Sequence, residues 1–139
     1  MWAGCSNRKR SQHIIPKLRS SGTAGLILAL KALGVSGGEV ITPALGFIAS
    51  AHAIRAVGAT PRFCDVSAGT LCCGPEEVEQ VWNDQGQAVM PVDLLGVPAP
   101  IESLMKWAGA KGLPVIEDAC ESLGTRVAGV PCGSVADAA

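Results

Sequence analysis

From Ser21 onward the chain switches back and forth between helical stripes and short runs of consecutive apolar residues. In residues 22–33 the leucines at 26, 30 and 33 fall on one helix face, and Gly34 follows as a stop. Residues 39–42 (EVIT) are short and β-branched and are ended by Pro43. Residues 47–57 are alanine-rich and helical, closed by Gly58, and residues 60–66 (TPRFCDV) have the character of a strand. Residues 75–82 open on proline and carry Glu76, Glu77 and Glu79, the charge pattern of a helix N-terminus. Residues 87–92 predict another strand, 101–111 a helix and 114–118 (PVIED) a strand. Residues 125–128 predict one more strand before a turn at Gly129 and Val130.

Strand and helix thus alternate with short connections, which predicts an α/β architecture: a mostly parallel sheet with helices on both faces. The strands are unbroken apolar runs, as expected where both sheet faces are covered. Ligands of such sheets bind beyond the carboxyl ends of the strands. That rule directs attention to residues 43–47, Asp65, Asp93 and Asp118.

Composition narrows the class. A chain of 139 residues can bury one core but is too short for a two-domain enzyme. With 48% hydrophobic and 17% charged residues it is not a disordered chain. Its longest uncharged run, 40–54, is interrupted by Pro43 and Gly46 and predicts no membrane span. Aromatic residues make up 4%, with no tyrosine, so a stacking platform for single-stranded nucleic acid is not expected. Residues 1–20 hold Arg8, Lys9, Arg10, Lys17 and Arg19 and no acid. This start invites a nucleic-acid or transit-peptide reading, but it lacks the apolar stretch of a secretory signal and reads more simply as a solvated basic tail. Residues 21–139 then form the domain.

The cysteines (Cys5, Cys64, Cys72, Cys73, Cys120, Cys132) contain no C-x-x-C pair, and His13 and His52 are isolated, so the spacing gives neither a metal motif nor a disulfide framework. Cys64 and Cys120 sit in apolar, strand-like runs and are expected to behave as small hydrophobes. A reducing cytoplasm fits this cysteine usage.

Ser21-Gly22-Thr23-Ala24 opens the first predicted helix. Small residues, free amides and the helix dipole make such a start either a phosphate cradle or a plain cap. Asp118 should end a buried strand, where a carboxylate needs a partner. That partner is a protonated ring nitrogen, a turn, or an arginine such as Arg126. Phe47 lies just beyond another strand end and either faces a flat ring or fills the core. Asp93 stands at the same edge, to touch substrate or cap a turn.

Taken in order, SGTAGLILALKALG, EVITPALGFIASAHAIRAVGATPRFCDV, AVMPVDLLGVPAPIESL and GLPVIEDACESLGTRVAGVPCGSVADAA resemble the DegT/DnrJ-type sugar aminotransferases, pyridoxal-phosphate (PLP) enzymes of fold type I. The resemblance runs from about Ser21 to Ala139 and implies part of the large, PLP-binding domain, with the small domain beyond it. It implies that Gly22, Thr23 and Ala24 hold the cofactor phosphate, that Phe47 stacks on the pyridine ring, and that Asp118 pairs with the ring nitrogen. Glu121 would neighbour the ring hydroxyl. It further implies glutamate as amino donor, a keto group of a nucleotide-linked sugar as acceptor, a homodimer, and products that enter polysaccharides, glycans or antibiotics. The chain departs from the pattern with Glu121 for a common glutamine, His52 for asparagine, Asp93 for histidine and Ala136 for glycine. The family's Schiff-base lysine is expected beyond the segment 133–139; the lysines here are 9, 17, 31, 106 and 111. The chain by itself is therefore expected not to transaminate. Two other readings stay open: a PLP- or pyridoxamine-phosphate-dependent sugar dehydratase of the same fold, and a non-catalytic remnant or interaction protein.

Overall fold

The computed structural model describes residues 20–139; the basic segment, with Cys5 and His13, lies outside the described residues. Helix α1 (Gly22–Ala32) is capped by Ser21, whose Oγ accepts from the Ala24 amide at 3.2 Å. It buries Leu26, Ala29 and Leu30, and Gly34 ends it at φ +78. Strand β1 (Glu39–Pro43), helix α2 (Ile48–Ala56) and strand β2 (Thr60–Cys64) follow. Then come helix α3 (Pro75–Val81), strand β3 (Gly86–Val89) and helix α4 (Ile101–Lys111). The sheet order is β2-β1-β3, all parallel.

The sheet continues past β3 through residues 115–118 and 138 as isolated parallel bridges, Val89 to Val115, Val92 to Asp118 and Ile116 to Ala138. The expected strand 114–118 is therefore present in position but not as a full ladder. Val89 and Asp93 donate to Pro114 and Asp118, while Ile116 and Asp118 donate to Val89 and Pro91. The missing rung would need an N–H from Pro91, which proline lacks. That also explains why β3 ends before the expected Val92.

Alternation along the strands sorts the core into two layers. Val40, Ala88, Met90 and Ile116 pack with Leu26 and Leu30 of α1 and Ala53 and Ile54 of α2. Ile41, Cys64, Val89 and Val115 pack with Val78 of α3 and Leu104 and Ala108 of α4. Both faces are covered, as the unbroken apolar strands predict. Because the chain steps from β1 to β2 and then back across to β3, its order reverses between β1 and β3. The carboxyl ends at such a reversal are splayed and open to a ligand.

Two expectations are corrected. Cys64 is buried in β2 as expected, but Cys120 is exposed, because the chain turns immediately after Asp118 and leaves the sheet. The strand expected at 125–128 is half of a hairpin, β4 (Arg126–Val127) antiparallel to β5 (Val130–Pro131). Its turn falls at Ala128 and Gly129, with φ +49 and +83, not at Gly129 and Val130. Two successive positive φ values match the twist of a two-residue hairpin.

Candidate functional site

Asp118 lies at the carboxyl edge of the sheet and is only 4% exposed. Its Oδ2 accepts from the Ser50 hydroxyl at 2.6 Å, and its Oδ1 from the Cys120 amide at 3.4 Å. Ser50 reaches it because the inner stripe of α2 is Ser50, Ala53 and Ile54. The Arg126 guanidinium donates to the Gly129 carbonyl instead, so a hydroxyl and an amide, not an arginine, accompany this carboxylate.

Phe47 is the N-cap residue of α2, one turn before Ser50, and is 70% exposed. A core role is excluded by that exposure. The ring borders a cavity of about 140 Å³ with Thr42, Gly46, Ser50, Phe63 and Val92, at the β1/β3 reversal. Thr42 Oγ1 is buried there without a hydrogen-bond partner.

The N-terminus of α1 reaches the same region through Cys120. A Cβ placed on Gly22 would come within 2.6 Å of Cys120 Sγ, so the missing side chain lets the helix start approach the turn after Asp118. Ser21 serves the Ala24 amide, and helix geometry leaves the amides of Gly22 and Thr23 without an intrahelical acceptor. Although the residue as a whole is exposed, partial burial of its thiol, then the hydrogen bond and charge of Asp118, push the Cys120 thiol up to about 12, which keeps it neutral at physiological pH.

Glu121 is exposed, and its Oε2 accepts from the Leu95 amide at 2.7 Å. It thereby steadies the 3-10 turn Leu94–Gly96, in which Leu95 holds φ +53. Asp93 is fully buried and accepts from the Ala99 amide at 2.9 Å and the Ser122 hydroxyl at 2.7 Å. It locks the approach to α4, the turn-capping alternative. Asp65 accepts from its neighbour's amide, Val66, on the exposed surface.

One edge of the sheet thus combines a helix N-terminus, an exposed aromatic face and a buried, oriented carboxylate. A helix N-terminus suits a phosphate, the phenyl ring a flat heterocycle, and the carboxylate a protonated ring nitrogen. Sequence reasoning missed Ser50 and Thr42. The phase of α2 would have singled out Ser50 as a polar residue on a buried stripe; Thr42 stands two residues after Val40 on a strand face that is otherwise apolar.

The chain is similar to known proteins along nearly its whole length. Residues 11–139 match the DegT/DnrJ/EryC1/StrS aminotransferase family, a match that begins ten positions before Ser21. The L-glutamine:2-deoxy-scyllo-inosose aminotransferase of Streptomyces fradiae is 43% identical over 120 residues, covering 86% of this chain and 28% of that protein. The chain therefore spans under a third of that relative's length. The crystal structure of DesI in the presence of its TDP-sugar product is 39% identical with a TM-score of 0.78, over 83% of this chain and 29% of that one. NtdA from Bacillus subtilis, with bound cofactor PMP (pyridoxamine phosphate), is 36% identical with a TM-score of 0.73, over 76% of this chain and 24% of that one.

Proposed function

Since the chain belongs to the DegT/DnrJ/EryC1/StrS aminotransferase family, we propose that residues 20–139 are the cofactor-holding part of a PLP-dependent sugar aminotransferase. When bound, PLP supplies an electron sink through which an amino group passes from a donor amino acid to a keto group. The observation that carries this reading is the buried Asp118 carboxylate, oriented by Ser50, which itself lines the cavity beside the open Phe47 ring.

In this reading Asp118 holds the proton on the ring nitrogen. The Ser50 hydroxyl fixes which carboxylate oxygen remains available. Phe47 covers one face of the ring and excludes water from it. Gly22, Thr23 and Ala24 present the start of α1 to the phosphate, and Glu121 stands near the ring hydroxyl from the turn beyond Asp118. The donor is glutamate or glutamine. The acceptor is the keto group of a polyhydroxylated six-membered ring. The TDP-sugar of DesI supports a nucleotide-linked sugar; the relative from Streptomyces fradiae supports a cyclitol. The complete enzyme works in the cytoplasm as a homodimer.

Titrating the purified chain with pyridoxamine phosphate by calorimetry tests the cofactor reading without forming lysine adducts. Removing a charge-assisted contact costs about 1.5–3 kcal/mol, so Asp118→Asn should weaken binding at least about tenfold. Equal binding by parent and Asp118→Asn would overturn the assignment. Supplying the complete enzyme with an inosose or a TDP-keto-sugar, and identifying the aminated product by mass spectrometry, decides the acceptor.

A further inference from the structure

The opposite face of the sheet holds a second set of reactive side chains that amino transfer does not use. Successive side chains alternate along an extended strand, so Glu117 turns toward α4 while Asp118 turns toward α2. Glu117 meets Asp93 and Cys132 there, and one ligand atom from each lies within 4.8 Å of the other two. Asp93 is 0% exposed and Glu117 2%, whereas the thiol is half-buried. These residues are far apart along the chain, which is why cysteine and histidine spacing does not register them.

The Asp93 carboxylate is held by the Ala99 amide and the Ser122 hydroxyl. Glu117 Oε2, by contrast, is buried with no hydrogen-bond partner. Glu117 and Cys132 line a cavity of about 250 Å³ whose other walls include Pro98, Ile101, Val130 and Pro131. Among the described residues the ion pairs are Arg62 with Glu39 and Lys111 with Glu79, so no cationic side chain pairs with Asp93 or Glu117.

Two buried carboxylates and a thiol, one oxygen of them unpartnered, make a donor set that a cation would complete. Ca²⁺ takes about 6–8 oxygen ligands and Mg²⁺ an octahedron of oxygens, so neither suits a thiol in a three-ligand set. Zinc-type bonds of about 2.0–2.3 Å put neighbouring ligand atoms roughly 3–4 Å apart, within the observed spacing. We propose that Asp93, Glu117 and Cys132 form a three-ligand site for a zinc-type divalent cation, with its fourth position facing the cavity. Binding expels the thiol proton and the proton Glu117 holds, and the divalent charge offsets two of the three ligand charges. Ser122 and the Ala99 amide orient Asp93, as partners of metal-ligating carboxylates do. The site is separate from the proposed cofactor position and does not depend on that reading.

Cobalt(II) is the probe. The reduced, metal-free chain should take up one equivalent of Co²⁺, with sulfur-to-cobalt charge transfer in the near ultraviolet and tetrahedral visible bands that Zn²⁺ displaces. Cys132→Ser should abolish the charge-transfer band. Glu117→Gln should weaken binding at least about tenfold. Cys120→Ser should retain the parent's spectrum and affinity, and circular dichroism should match among all four proteins. Failure of the folded parent to bind stoichiometrically, or a charge-transfer band that survives in folded Cys132→Ser, would overturn the proposal.

Discussion

A carboxylate as buried as Asp118 is tolerable only if its oxygens are served, and Ser50 supplies the shorter of its two hydrogen bonds. Ser50→Ala strands that oxygen, and leaving a buried acceptor unsatisfied costs about 1–3 kcal/mol. Urea unfolding should register that loss, and Ser50→Thr, which keeps the hydroxyl, should recover most of it; a Ser50→Ala protein as stable as the parent would show that the bond contributes nothing. Asp118→Asn behaves differently, because asparagine keeps the volume and can still accept. In a complete enzyme carrying residues 20–139 its thermal midpoint should stay close to the parent's, while turnover falls by roughly a hundredfold through loss of the charge-assisted contact. Near-normal turnover in a destabilised variant would instead assign Asp118 a structural role. Asp118, Phe47 and Gly22 were accessible from the sequence because strand ends and helix starts are local features. The partnership of Ser50 with Asp118 was not, since it joins residues from different βαβ units and only the assembled sheet brings them together. Asp93 shows the same limit: its edge position was legible, but its commitment to Ala99 and Ser122 was not.

The elements form wherever punctuation and periodicity agree. Helix α4 is capped by Gly112 at φ +76, and Gly58 at φ +83 follows the Val57 cap of α2, so these helices stop close to where the sequence predicts. The strands fare less well at their ends, because ladder length depends on partners and not on apolar content. Pro91 is the clearest case, since it reads as part of an apolar run yet removes the rung that would complete the ladder between 114–118 and the β3 segment. At the hairpin, the sequence shows one glycine where the turn needs two positive φ values, and Ala128 adopts the second at φ +49. A non-glycine residue in the left-handed region carries about 1 kcal/mol of strain. Ala128→Gly should therefore steady the hairpin and slow exchange of the Cys132 amide, which donates to Thr125 across it, by roughly fivefold. Unchanged or faster exchange would mean that chain entropy outweighs the strain at this turn.

At the scale of the whole molecule, two apolar layers flank one sheet, and its consecutive edge residues Glu117 and Asp118 serve opposite faces. Burial, and after it the charge of Asp93, push the Glu117 carboxyl up to about 7 from 4.5, against a hydrogen bond with the Gly133 backbone that lowers it. Asp93 and Cys132 face Glu117 at the site, and neither supplies a positive charge. In the unfolded chain Glu117 titrates near the ordinary value, so between the two pKa values the folded state holds a proton that the unfolded state has lost. The associated stability is fully present below the unfolded pKa and disappears as pH rises through about 7. At about 1.4 kcal/mol per unit, the shift corresponds to roughly 3 kcal/mol. Glu117→Gln keeps the shape of the neutral acid and provides a permanent donor toward Asp93, so it should remove this contribution to the pH slope. Denaturant unfolding of both proteins in EDTA, which keeps any cation away, isolates the effect from the other carboxylates. The two should be nearly equal in stability at pH 4.5, and the variant should become the more stable by about pH 8. Parallel stability curves across that range would mean that Glu117 titrates normally and that the sheet's second face does not hold its proton.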